Sequence, residues 1–478
     1  MKEHEVITSN KALNIYVISL VPYLSILLPF SIAVFYVHLF GVNVFFADEW
    51  YFLKILQKLD SGMLSIADLF AHHREHIYFF PWVVMLALGT LTEYKTVPLM
   101  YLVQLCLLVT SAILLLAFRR TLRHQPLVSI LLFVPIPFLV FSFRQYENML
   151  WGNQITFAFA QTFAVLALYI LYVLENKDPK KLISLLSLGL VALASATIAS
   201  FSSVQGLLVW PAGVLQLLIT PINRSLKSLL LAGWGAVGLG EWIFYFTGNT
   251  AESESIYPIS PYYALRHPAI AVDYFLTLLG SSLFWEESFA VSASLLLICL
   301  LVVGLLLLYR SGRLAENSFW VAILLFSLLS LIGITVGRSM FAENQAWWDQ
   351  PLTSRYTIFS ILTVVSVYAI LVKLAWARKS HVVTALLGSL LGLVLLSIPT
   401  SYLLGVKAGE ETKQYREEIA ETVLNYESQP DSAFVRVVGQ PQYVREYAPF
   451  LERHAYNVFA EQDTIGATES YDPSSGNN

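Results

Sequence analysis

Phe46-Ala47-Asp48-Glu49-Trp50, continued by His72-His73-Arg74-Glu75-His76 and Pro81-Trp82, follows directly on the first hydrophobic run of the chain. Acids, histidines and an arginine are costly beside hydrocarbon, so the stretch asks for a functional reason. Its reading also fixes the topology. Whether the apolar runs around it cross a bilayer or lie in its surface decides which later polar clusters share its side.

Composition sets the class. The 478 residues are 56% hydrophobic and only 13% charged, with a mean hydropathy of +0.63. A soluble domain cannot hide that much apolar surface, whereas repeated long apolar runs need a bilayer. The net charge of -4 says little, because sidedness of charge matters here and the total does not. No nucleic-acid partner is expected. Cys106 and Cys299 both sit in apolar runs and read as packing residues. Residues 1–11 are polar, and the long run after them reads as a retained anchor, not a cleaved signal.

The expected spans are 15–40, 97–118, 127–143, 155–174, 182–201, 204–220, 228–246, 288–309, 318–336, 356–376 and 382–404. Two shorter apolar stretches, 77–91 and 269–284, decide the sidedness. If both cross, the basic connections at 119–123, 177–181 and 224–227 fall outside. If both lie at the interface, these three and the basic sets Arg310/Arg313 and Lys373/Arg378/Lys379 all become cytoplasmic. Satisfying the positive-inside tendency five times outweighs hydropathy for two borderline segments. The fold class is therefore all-α and integral to the membrane, with about eleven transmembrane helices and two interfacial helices in outer loops. The N-terminus is cytoplasmic and the C-terminus extracytoplasmic. Residues 1–404, including the outer loop 41–96, form the membrane domain. Residues 405–467 form a small extracytoplasmic α/β appendage: a charged helix over 407–425, a strand over 434–438 and a helix over 444–454. The polar tail 468–478 reads as disordered.

That topology, chosen from lysines and arginines, also gathers the other polar clusters on the outer face. Asp48 and Glu49 precede an amphipathic helix. Asp48 can simply cap it, or can act as a carboxylate whose basicity partial desolvation raises, suited to general-base work. His72, His73 and His76 with Glu75 can be interfacial polar residues, a metal cluster or, for Arg74 and His76, substrate contacts; no cofactor is expected, a divalent metal being the minor reading. Arg144, Tyr146, Glu147, Asn148, Trp151 and Gln154 combine rings, amides and charge in the manner of a sugar-holding surface. An aromatic belt explains the rings but not the polar residues among them. Gln205 lies on the same face. Arg338 ends one span and Arg355, followed by Tyr356, begins the next. Two arginines at headgroup depth suit a lipid phosphate, although snorkelling is the commoner explanation.

In layout, residues 15–404 resemble the GT-C superfamily of membrane glycosyltransferases. The likeness lies in an acidic motif after the first span, interfacial helices before the second, and polar residues in later outer loops. Ala47-Asp48-Glu49-Trp50, the 73–81 and 146–154 stretches and the Gly337-Arg338…Ser354-Arg355-Tyr356 pair look like a prokaryotic branch of it. The resemblance implies a polyprenyl-phosphate-linked sugar as donor, Asp48 (or Glu49) as base, and Arg338 or Arg355 on the lipid phosphate. The chain departs from the family in lacking its Lys-Pro-Pro or His-Pro-Pro element, and Gln350-Pro351 breaks the run begun by Trp347-Trp348-Asp349. The acceptor, be it glycan, lipid or protein, does not carry over. The expected function is sugar transfer to an acceptor hydroxyl at the outer face of the cell membrane. The rival readings are a lipid or sugar transporter, or another envelope-polysaccharide enzyme such as a polymerase, ligase or acyltransferase.

Overall fold

The computed structural model describes residues 21, 23–122, 125–174, 182–247, 261–342, 350–378 and 380–461. Expectations for the start of the first span, for 177–181, for Trp347-Trp348-Asp349 and for the tail 468–478 lie outside the described residues. The described chain is almost wholly helical, with a single hairpin of two-residue strands, β1 (His72–His73) and β2 (His76–Ile77).

Among the described residues nine helices are long and apolar enough to cross a membrane: Tyr23–Phe40, Val97–Thr121, Leu127–Leu150, Gly152–Leu174, Arg224–Thr247, Glu287–Arg310, Ala315–Phe341, Ser354–Ala377 and His381–Leu424. The protein is thus an all-α, multi-pass membrane protein. The two remaining expected spans are the shorter apolar helices Ser184–Ser200 and Val204–Ile219. The two stretches read as interfacial form Phe79–Thr92 and Pro268–Gly280, of 14 and 13 residues. At about 1.5 Å per residue each reaches roughly 20 Å, short of the ~30 Å hydrocarbon core.

Helix Thr357–Arg378 runs through the middle of the bundle and is enclosed by Ser318–Arg338, Glu287–Arg310 and His381–Leu424. A small polar residue of Ser318–Arg338 closes one of these helix pairs, Ser327 Oγ donating to Phe359 O at 2.7 Å. The segment before the site is broken by Pro126, Pro135 and Pro137 into short helices, because proline lacks the N–H and clashes with the preceding turn.

The boundary expected at 404 is absent: His381–Leu424 runs through it as one 44-residue helix. At about 66 Å it is twice the length needed to span, so its second half stands beyond the bilayer. The strand expected over 434–438 is instead helix Asp431–Val438, closed by Gly439 at φ +75°. Phe434, Val437 and Val438, spaced three and four apart, point inward together. That helix and Pro441–Arg453 share one hydrophobic core with Glu49–Asp60 and with Val44, Phe45 and Trp82 of the outer loop. The C-terminal segment is therefore an all-helical cap on the 41–96 loop, not an α/β appendage.

Candidate active site

Asp48 stands at the N-cap position of Glu49–Asp60, yet its side chain makes no capping bond. It turns instead towards the β1–β2 hairpin. There Arg74 takes φ +53° at the two-residue tip, so His73 and His76 pair across the strands and Arg74 and Glu75 project from the end. Arg74 Nη2 and His73 Nε2 each lie 3.8 Å from Asp48 Oδ1. Burial alone would raise the Asp48 carboxyl, but Arg74, His73 and Arg355 outweigh it and hold the group well below the usual carboxylate range. The raised basicity expected of Asp48 is thus reversed by its cationic neighbours.

The carboxyl that burial does raise is Glu49, pushed up to about 7 against the pull of the Phe46 N–H, Arg416, the Asn153 N–H and Trp151. Glu49 is 1% exposed. Its two oxygens accept the backbone N–H groups of Phe46 and Asn153, each at 2.9 Å. It ties the outer loop to the turn at 152–154 and does not line the cavity.

That cavity, of about 660 Å³, takes in Asp48, Arg74, Glu75, His76, Trp151, Gln154, Gln205, Arg338, Arg355 and Tyr356 at its polar end. Ten of the residues singled out from sequence, drawn from six separated stretches, therefore meet around one space. Arg338 donates to Glu75, and to the Tyr356 hydroxyl at 3.4 Å. Glu75 is held below its usual range, since Arg338 and His76 prevail over its burial. His76 Nδ1 accepts the Val204 N–H at 3.2 Å, which leaves Nε2 to carry the proton towards Glu75, 3.3 Å away. His72 points elsewhere, with Nε2 2.9 Å from Tyr245 O, so the histidines do not gather as ligands.

Arg144, Tyr146, Glu147 and Asn148 lie behind the cavity. They belong to two short turns, Phe143–Gln145 and Tyr146–Leu150, not to a single helix face. Arg144 is consumed by Phe284 O, Leu352 O and the Trp285 ring. Tyr146 stacks on that same ring. Glu147 grips Arg355 twice, accepting its backbone N–H at 3.0 Å and Nη1 at 3.1 Å. Asn148 Nδ2 donates to Arg355 O at 3.0 Å. Glu147 and Asn148 are thus supports of Arg355, whose guanidinium lies 4.9 Å from the Tyr356 ring centre, and none of the four lines the cavity.

Away from the charges the cavity is apolar. Leu207, Leu208, Trp242, Phe246, Ile334 and Val336 wall it, together with Gly333 and Gly337. A Cβ added at either glycine would meet no atom within 4 Å. Sequence reasoning missed this half, because apolar residues inside spans look alike whether they face lipid, protein or a void. It missed Tyr245 as well, whose hydroxyl accepts the Ile77 N–H at 2.8 Å and seats the hairpin.

No family model matches the chain, and no solved structure matches it. An uncharacterised protein of Archaeoglobus fulgidus is 23% identical over 214 residues, covering 42% of this chain and 54% of that protein. The chain thus spans about half the length of that curated relative, and the likeness brings no activity with it.

Proposed function

We propose that the protein is a membrane glycosyltransferase of GT-C type, moving a sugar from a polyprenyl-phosphate donor to an acceptor hydroxyl. The observation that carries this reading is the two-sided cavity. Three guanidinium groups and two carboxylates, Asp48 and Glu75, share it with an apolar wall that leaves room beside two glycines. A molecule with a phosphate head and a hydrocarbon tail satisfies both ends at once, since arginine matches phosphate oxygens with paired N–H bonds.

In the reaction the acceptor oxygen bonds to the anomeric carbon as that carbon's bond to the phosphate oxygen breaks. The hydroxyl proton goes to Asp48, and polyprenyl phosphate leaves. Arg74, Arg338 and Arg355 balance the charge that grows on the leaving phosphate. Arg74 is the most open of the three, with about a third of its side chain exposed, and also the partner of Asp48. A donor phosphate that draws Arg74 towards itself relaxes Asp48 towards the ordinary carboxylate range, where it is a better base.

Eleven crossings are the arrangement this reading takes. Helix Ser184–Ser200 leads to Val204 at His76, and Arg224–Thr247 ends with Tyr245 at Ile77, so both return to the side of the site. With the basic connections inside, the site and the C-terminal cap face out. Binding of a polyprenyl phosphate to the purified protein tests the reading, with a diacyl phosphate of equal charge as control. Wild type binds the polyprenyl form selectively, and Arg355→Lys weakens it by tenfold or more because lysine keeps the charge but loses the planar fork. Equal binding of both lipids, unchanged by the substitution, contradicts it.

A further inference from the structure

Asp48 is delivered to the cavity by a turn that closes on one backbone bond, Glu49 N–H to Phe46 O at 3.1 Å, and is otherwise held from outside. Ala47 has φ +48°, a left-handed conformation that a residue with a Cβ adopts only under constraint. Three successive backbone N–H groups before Asp48 are each taken by a partner from outside the turn's own backbone. Phe45 N–H donates to Asn457 Oδ1 at 3.1 Å, Phe46 N–H to Glu49 Oε2 at 2.9 Å, and Ala47 N–H to Val437 O at 2.7 Å. Two of the three partners belong to the C-terminal cap, about four hundred residues away in sequence.

Asn457 has more than one grip. It is 1% exposed and itself at φ +56°, where asparagine is among the best-tolerated residues. Its Nδ2 donates to Tyr94 O at 2.8 Å and its backbone N–H to Glu93 O at 2.7 Å. One residue therefore joins the start of the outer loop, at Phe45, to its end, at Glu93 and Tyr94. From the same cap helix system, the Arg416 guanidinium lies 3.2 Å from the Phe46 ring centre.

We propose that the C-terminal cap is a working part of the site, and that Asn457 is the positioning residue through which it sets Asp48 against Arg74 and His73. The inference rests on the reading of Asp48 as the base, but its first test does not. Hydrogen exchange of the full-length protein in lipid nanodiscs is measured for wild type, Asn457→Gly and Asn457→Asp. Glycine keeps the left-handed backbone and removes both side-chain bonds. Aspartate keeps the acceptor for Phe45 N–H and, should the glycine variant not fold, carries the test through loss of the Tyr94 bond.

In Asn457→Gly the amides of 45–48 and 93–95 exchange on the order of ten- to a hundredfold faster, with the membrane helices unchanged. In Asn457→Asp the 45–48 amides stay nearer to wild type while Tyr94 and its neighbours loosen. Turnover with a polyprenyl-phosphate sugar gives a second readout that a general loss of folded protein does not move. A freed turn lets Asp48 drift from Arg74, so the acid limb of the pH profile moves up by about one unit or more in Asn457→Gly. Unchanged exchange at 45–48 in the glycine variant, or a loosening spread evenly over the whole protein, overturns the inference. Absence of any sugar transfer by wild type overturns the functional reading and leaves the exchange result standing.

Discussion

Replacing Glu49 by glutamine removes a carboxyl that burial pushes up to about 7 from an ordinary 4.5. A raised acid binds its proton more tightly in the folded protein than in the unfolded chain. Its contribution to stability is therefore whole below about pH 4.5 and is lost as pH rises through 7. Between pH 5 and 8 the loss integrates to roughly 2–3 kcal/mol, or a fifty- to hundredfold easier opening of the structure Glu49 ties down. That structure is local: the Phe46 and Asn153 amides are the groups its oxygens hold. Exchange of those two amides, corrected for its intrinsic pH dependence, should speed up by about that factor in wild type across this range. In Glu49→Gln the pH dependence should vanish. A constant cost should replace it, about 1–3 kcal/mol, because an amide accepts from one N–H and turns its own donors to the other. Equal pH dependence in the two proteins would refute both the raised carboxyl and its role as the tie.

Gly337→Leu should be harmless to the fold, since nothing lies within 4 Å of the new Cβ and leucine favours helix over glycine by nearly 1 kcal/mol. Its four carbons, each near the ~30 Å³ share of a liquid water, should take roughly 100 Å³ of the cavity and lower polyprenyl-phosphate affinity tenfold or more. Sidedness is checked with single cysteines at exposed positions in a background lacking Cys106 and Cys299. Ala67→Cys and Ser428→Cys should react with an impermeant thiol reagent on intact cells, while Gln125→Cys and Ser225→Cys should not. Labelling at Gln125 without labelling at Ser428 would invert the orientation.

Much of the site was legible because charge in an apolar chain is rare enough to be conspicuous. Asp48, Arg74, Glu75, Arg338 and Arg355 announce themselves against their surroundings, and a topology drawn from lysines and arginines sufficed to bring them together. What sequence could not resolve is which polar residues face the space and which face one another. Glu147 and Arg355 are equally conspicuous in the sequence, and only the fold reveals that the first spends both oxygens on the second. Asp48 was misjudged for the same reason. Its burial could be guessed, but not the arginine and histidine brought to it by a hairpin. The cap was misread because Phe434-Val435-Arg436-Val437-Val438 carries strand-favouring residues at spacings that serve a helix equally. Packing against Pro441–Arg453, in a core shared with the distant Glu49–Asp60, decided between them.

The central claim is that Asp48 accepts the proton of the attacking hydroxyl, and the Asp48→Asn variant tests it most directly. Asparagine keeps the size, and no capping bond is lost because Asp48 makes none. Sugar transfer from polyprenyl-phosphate sugars is measured with purified wild type and variant reconstituted in liposomes, alongside their thermal stability. Transfer by wild type and a loss on the order of a hundredfold or more in a variant of comparable stability is the predicted result. A stable Asp48→Asn that transfers sugar at the wild-type rate would contradict it.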